Sequence, residues 1–393
     1  MQSKKEYLNI LKVQYHQAKR KATKSEIINE LVTNLAFDRK YAITILNQPK
    51  TTLKKIQKRK RQKKYSADLI LPLIIIWGVL NKPCSKRLRP MIPEMLEVLE
   101  RFKEINVTAT QKGLLTTMGT WTIDQLLKRE KGNNPKGIGG TRPSKYLLNK
   151  KIKIRVNFDD VKNPGNLEID TVHHCGERLE GEYAVTLNNI DVQTLWSEQE
   201  CFLRCLKSKV ISGFDLVRKR IPYPVISADF DNGGEFKNYQ FVDYCRKNKI
   251  EFTRSRSYKK NDQCYIEGNN FVDVRELIGY ERYETQKEVN LINDIYRNEH
   301  RLLNNFFYPN MKLKVKKRDG AKVTKTYDIA RTPYQRVLES NVSEETKNML
   351  MKEYEKLNPA ELKRNIRKKL IHLRQVSRVR KLDRATMSVR YDF

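Results

Sequence analysis

Long apolar runs are missing from this 393-residue chain: the longest, Leu69 to Leu80, has 12 residues and contains Pro72. A bilayer-crossing helix needs about 20, so the segment is expected to be a buried helix with Trp77 in a core, and no membrane partner is expected. Met1 to Arg20 lacks the apolar centre of a signal peptide. Cysteine is sparse and unpatterned. Cys84, Cys175, Cys201, Cys205, Cys245 and Cys264 form no C-x-x-C pair, which argues against a disulfide framework or structural zinc and for a reducing cytosol. Histidine numbers only five. His173, His174 and Cys175 are adjacent, and strand neighbours point to opposite faces, so a shared metal is not expected there. Negative charge is also short, with 46 Asp+Glu against 79 Lys+Arg and a net +33.

That imbalance is unevenly spread. Residues 161 to 300 hold 20 basic and 23 acidic residues, a net of −3, leaving +33 − (−3) = +36 for the flanks. Basic arms around a near-neutral middle suit a protein whose arms hold a polyanion while the middle acts on it. Length and periodicity divide the chain into 1–65, 66–130, a linker 131–160, 161–308 and a basic 309–393. The first segment reads as a helix-turn-helix. A capping box is expected at Thr23 to Glu26, an apolar stripe runs from Ile27 to Leu35, and Asp38 caps a second helix. This would place Arg39, Lys40 and Tyr41 at a DNA groove, although a plain helical hairpin has the same pattern. From Lys54 to Lys64 eight of eleven residues are basic, among them Lys54, Lys55, Lys58, Arg59, Lys60 and Arg61, which suits phosphate contact.

Helices are expected at 68–80, 92–102, 109–117 and 122–129, the last two as a second helix-turn-helix around Gly119. The Gly/Pro-rich stretch 130–145 reads as a flexible linker. Strands follow at 167–172, 183–190, 194–202, 225–229 and 251–255, with helices at 207–220, 236–248 and 263–279. That order predicts a central α/β layer, the first three strands as an antiparallel meander, helices on both faces. Asp319-Gly320 marks a hairpin over 313–327, and helices are expected at 343–357 and 359–373.

Three acidic residues stand in ordered surroundings: Asp170 in Glu-Ile-Asp-Thr, Asp231 in Asp-Asn-Gly-Gly-Glu-Phe and Glu267 in Tyr-Ile-Glu-Gly-Asn-Asn. Two Asp and a Glu from distant parts of a chain can hold two divalent cations for in-line attack on a phosphodiester. Asp229, two residues before Asp231, is a local competitor for the second place. Glu168 and Asp191 are expected to serve solvation or hydrogen bonding.

With Thr-Arg-Ser-Arg-Ser-Tyr-Lys-Lys-Asn-Asp, Arg-Glu-Leu-Ile-Gly-Tyr-Glu-Arg-Tyr and Arg-Thr-Pro-Tyr-Gln-Arg in the same order, the chain from about 24 to 340 resembles bacterial insertion-sequence transposases with an integrase catalytic core. These are relatives of retroviral integrases in the Asp-Asp-Glu superfamily. The resemblance implies an RNase H-like core, Asp170, Asp231 and Glu267 as catalytic and metal-binding residues, and two Mg²⁺ ions for which Mn²⁺ can substitute. It also implies double-stranded DNA as partner, at terminal inverted repeats and target, with several copies of the chain assembled on it in the bacterial cytosol at the nucleoid. One departure is that the family's Gln-Lys-Asn after the glutamate is here Gly268, Asn269 and Asn270; Lys259, Lys260 and Arg275 are candidates for the missing cationic contact. The alternative is a catalytically inactive, transposase-derived DNA-binding protein or repressor. A tyrosine recombinase is disfavoured because His372-Leu-Arg374 lacks the His-x-x-Arg spacing.

Overall fold

The computed structural model describes residues 2–48, 65–128, 130, 153–154, 163–230, 239–254 and 263–390. The chain forms two compact units, 1–64 and 65–393. In the first, helices α1 (Gln2–Gln17), α2 (Lys21–Leu35) and α3 (Arg39–Asn47) enclose Leu11, Ile27, Ile28, Leu31, Ala42 and Leu46. The Asp38 carboxylate caps α3 by accepting from the backbone N–H groups of Lys40 and Tyr41. The capping box expected at Thr23 does not form. Helix α2 begins earlier, behind Arg20, which gives no side-chain cap, so Thr23 already lies inside the helix.

The second unit opens with α4 (Ile70–Val79), α5 (Ser85–Arg101), α6 (Ala109–Thr116) and α7 (Thr120–Leu126). Trp77 is buried and donates its indole N–H to the Pro83 carbonyl. Helix α5 starts seven residues before the predicted 92, because Pro90 and Pro93 are accommodated within it rather than ending it. Thr108 and Gln111 form a reciprocal capping box at α6.

A six-stranded mixed sheet follows, built from β1 (Lys153–Ile154), β2 (Asn166–His173), β3 (Ala184–Asp191), β4 (Ser197–Leu203), β5 (Ser227–Phe230) and β6 (Glu251–Arg254). Its order is β1-β6-β5-β2-β3-β4. The β2–β3–β4 meander is antiparallel, whereas β2, β5, β6 and β1 run parallel. The expected α/β layer is present. Strand β4 begins three residues later than predicted because 191–196 is a turn: buried Asp191 accepts from the N–H groups of Gly165, Asn166, Gln193 and Thr194 and from the Thr194 hydroxyl. Gly165, at φ +102°, lets β2 start beside β5; a Cβ there would lie 2.3 Å from the Pro224 carbonyl oxygen.

Helices α8 (Lys207–Arg220) and α9 (Tyr239–Lys247) contribute to one layer. Helix α10 (Cys264–Asn269) and a π-helical turn at Asn270–Arg275 pack on β2 and β3 and lead into α11 (Glu276–Ile278), and α12 (Gln286–Ile295), a second π-helical turn at Tyr296–His300 and α13 (Arg301–Phe307) pack on β4. The α12–α13 segment has no counterpart among the predicted elements. It closes the edge strand β4 in an unusual way. The Asn293 side-chain amide bonds both main-chain groups of Cys201, and that of Asn305 bonds both of Ser197, as a neighbouring strand would. Arg220, Arg297 and Arg301 pair with the buried Glu198 and Glu200 of the same strand. The edge is thereby withdrawn from pairing with other chains.

Strands β7 (Leu313–Asp319) and β8 (Lys322–Tyr327) form the expected hairpin. Helices α14 (Pro333–Glu339), α15 (Glu344–Lys356) and α16 (Pro359–Arg390) end the chain. The last continues well past the predicted 373. Glu94 of α5 accepts from Gln335 and Tyr354, and Glu104 accepts from Arg364 and Asn358, so α14–α16 and α4–α7 share a core.

Candidate active site

Asp170 lies on the central strand β2, half-buried, with one carboxylate oxygen accepting from the Thr171 N–H (2.7 Å) and the other from the Asn270 amide (2.6 Å). Glu267 is carried by α10, which packs on β2 and β3. Its neighbour Ile266 is fully buried against Ile190 and Leu195, so the next residue, Glu267, is turned out to solvent. Asn270, three residues after Glu267, therefore ties the glutamate-bearing helix to the aspartate-bearing strand. Asp231 falls outside the described residues, as do Lys259, Lys260 and the run Lys54 to Lys64. The described chain stops one residue short of Asp231 at Phe230, the register partner of Ile169, which immediately precedes Asp170.

Beneath these residues are two buried carboxylates. Glu168, on the same face of β2 as Asp170, stands in register with Asp229 of β5. Glu168 Oε2 accepts from the N–H groups of Tyr265 and Ile266 (3.0 and 2.8 Å) and so anchors the first turn of α10. Burial, with a smaller push from Asp229 and Glu267, raises its carboxyl to about 8. Its Oε1 is buried without a hydrogen-bond partner. Asp229 accepts from the Thr253 hydroxyl at 2.5 Å. Glu168 and Asp191 thus have the hydrogen-bonding roles expected of them, and Asp229 is held deeper in the sheet than a solvent-facing ligand.

A row of polar side chains crosses the sheet from Asp170. Asn188 is its partner on β3 and Gln199 is the partner of Asn188 on β4. Asn188 donates to Asn270 (2.9 Å), and Gln199 donates to Asn188 (3.0 Å) and to Asp273 (3.3 Å). Asp273 also accepts from Ser197 (2.8 Å). Because Asn270 and Asp273 both belong to the first π-helical turn, the row fastens that turn at two points. π-Turns concentrate at functional sites. Burial raises the Asp273 carboxyl to about 7, against the lowering effect of its hydrogen bonds. Asn270 lies within the glutamate motif, but none of Asn188, Gln199 or Asp273 stands out as a site residue in the sequence. Asn188 and Gln199 become informative only once strand register is known, and Asp273 only once the π-helical turn is seen against β4.

Of the other expected site residues, Arg275 is half-buried, donates to the His173 carbonyl (3.0 Å) and lies over the Tyr280 ring. Burial lowers its pKa. Arg39 turns back onto α2, bonding Asn29 and Ser25, while Lys40 and Tyr41 are exposed. His174 is buried, bonds the Thr186 hydroxyl at 2.8 Å, and is held neutral by burial, its pKa lowered to about 3. Among the described residues no three His, Cys, Asp or Glu side chains converge as a metal set, and no helix is long and apolar enough to cross a membrane.

The uncharacterized protein y4rM of Sinorhizobium fredii is 31% identical over 309 residues, spanning 78% of this chain and 87% of the relative. The chain belongs to the y4rM family. No protein-family model matches it. Among solved structures, the HTLV-2 integrase catalytic core domain in complex with magnesium is similar at 15% identity and a TM-score of 0.29, covering 38% of this chain and 91% of that one. The catalytic core domain of BIV integrase is similar at 16% identity and a TM-score of 0.28, covering 44% and 94%.

Proposed function

We propose that this chain is a transposase of the Asp-Asp-Glu type, a polynucleotidyl transferase that cuts and joins DNA at the terminal inverted repeats of an insertion sequence. The observation that carries the reading is the tie between Asp170 and the helix of Glu267 through Asn270. Two carboxylates from distant parts of the chain are thereby held on adjoining elements, and the strand leading to the third, Asp231, is the parallel neighbour of β2.

The donor set fits a hard divalent cation, since all three groups offer carboxylate oxygens and Asp170 is already oriented by its hydrogen bonds. Two Mg²⁺ ions on Asp170, Asp231 and Glu267 would lower the pKa of an attacking water or 3′-hydroxyl and stabilise the leaving oxygen. The chain's own residues prepare that site. Asn270 fixes the rotamer of Asp170, Glu168 holds the first turn of α10, and buried Ile266 aims Glu267 outward. In this reading the 1–64 unit recognises DNA ends through Lys40 and Tyr41, the run Lys54 to Lys64 grips phosphates, and Lys259, Lys260 and Arg275 steady the strand near the carboxylates.

Strand transfer on terminal-repeat DNA tests this. Asp170→Asn, Asp231→Asn and Glu267→Gln should each abolish Mg²⁺-dependent cleavage and joining while gel-shift binding persists. Asn270→Ala should slow joining by about 10- to 100-fold, as loss of an orienting partner does. Asp229→Asn should be milder than Asp231→Asn; the reverse order would reassign the triad, and full activity in Asp170→Asn would refute the reading.

A further inference from the structure

The β7–β8 hairpin is exposed along both strands. Between Leu313 and Tyr327 it has six basic residues and one acid, Asp319. Register leaves Lys314 in the irregularity between Leu313 and Val315 and sorts the others onto two faces. One carries Lys316 directly opposite Lys325, and Arg318 opposite Val323; the other carries Lys317, and Lys322 opposite Asp319. The first face is +3, the second +1. Like charges directly opposed across a ladder destabilise it, and a lone two-stranded hairpin is marginal in water. Nothing within the hairpin offsets the first face, which also exposes Leu313, Val323 and Tyr327.

The base of the hairpin is built in the opposite manner. Asp328 exchanges main-chain and carboxylate bonds with Lys312 (2.9 and 2.6 Å) and pairs with Arg336 at 2.8 Å, both side chains of that pair being 8% exposed. Arg336 also donates to the Asn310 carbonyl. The Lys312 ammonium donates to the carbonyls of Val192 and Gln193 and lies 5.7 Å from the ring centre of Tyr265, two residues before Glu267. The ribbon is thus rooted at the β3–β4 turn and against the glutamate-bearing helix, while its length, about 23 Å at 3.3 Å per residue, stands in solvent.

We propose that this hairpin is a DNA arm that lays its Lys316/Arg318/Lys325 face into the major groove of duplex DNA, with its root fixing that duplex relative to Glu267. A two-stranded ribbon fits the roughly 12 Å major groove of B-form DNA. The deep, narrow groove of A-form RNA does not admit it. The inference rests on the reading of the chain as a DNA-joining enzyme and adds a contact to that same site.

The test uses the full chain without metal, a random-sequence duplex DNA and the matching duplex RNA, titrated at several salt concentrations. Lys316→Thr/Arg318→Thr/Lys325→Thr removes the opposed charges and raises strand propensity, so the hairpin should persist. It should weaken DNA binding at least tenfold at low salt and reduce the salt slope by about 2 to 3, as loss of three phosphate contacts requires. The control Lys317→Thr/Lys322→Thr should change the slope by less than about 1. Wild-type binding in the triple variant overturns the proposal. So does an equal loss in both variants, equal loss on DNA and RNA, or a change confined to self-association, which would assign the face to a second copy. Because binding is read without metal, a chain that fails to join DNA but keeps these slopes refutes the proposed activity alone.

Discussion

At the scale of single residues, the candidate site combines side chains that motifs single out with others that no motif does. Asp170 and Glu267 are legible because their neighbours form recognisable strings, whereas Asn188, Gln199 and Asp273 matter through cross-strand register and the π-helical turn. Asp273 leads to a prediction about pH. Folded, it keeps its proton to about pH 7; unfolded, it releases it near the ordinary value of about 3.9. Between those values the folded state binds the extra proton, so this residue's contribution to stability falls as pH rises from about 4 to 7 and levels off above. Asp273→Asn keeps an oxygen acceptor for Ser197 and Gln199 and removes the titration. Urea unfolding at pH 5 and pH 8 should show a stability difference narrowed by up to about 3 kcal/mol in the variant. An identical pH dependence in both proteins would mean that Asp273 is already ionised in the folded chain at pH 5.

At the scale of elements, strongly periodic segments were readable. Helix α8 occupies the predicted 207–220, and the hairpin turns at Asp319-Gly320, where Gly320 has φ +55°. The segment α12–α13 escaped because its buried face is interrupted by Asn293, His300, Asn304 and Asn305. Two of those asparagines serve the main chain of β4, a task invisible to a pattern that equates burial with apolarity. Helix α10 offers a second prediction. A Cβ on Gly268 would meet nothing within 4 Å, and its φ is not in the left-handed region, so the backbone does not require glycine there. Gly268→Ala should stabilise the second unit by about 1 kcal/mol, read as a higher urea midpoint at unchanged slope. A lower midpoint would show that α10 depends on its glycine. Under the proposed function, the same variant should join DNA faster if looseness beside Glu267 limits the chain, with binding to terminal repeats unchanged.

At the scale of the whole molecule, the two units differ in how much they bury. The first encloses a small apolar set around Leu31 and Leu46, and small cores are marginal. Trp77, Trp121 and Trp196 all belong to the second unit. Urea should therefore remove helical ellipticity in two steps, the earlier one silent in tryptophan fluorescence; coincident transitions by both probes would show one cooperative molecule. Helices α4–α7, α15 and α16 are legible singly, yet their shared core is not, since it joins residues far apart in the chain. Glu94 and its partner Gln335 are separated by 241 positions. A ribosome adding about 5 to 20 residues per second needs roughly 12 to 48 s to cover that distance. For that interval α4 and α5 are synthesised but lack the helices that complete their packing, and a chain cut short before α14 never acquires them. Chaperone dependence during synthesis, and rapid clearance of C-terminally truncated products, follow from the same long-range contact.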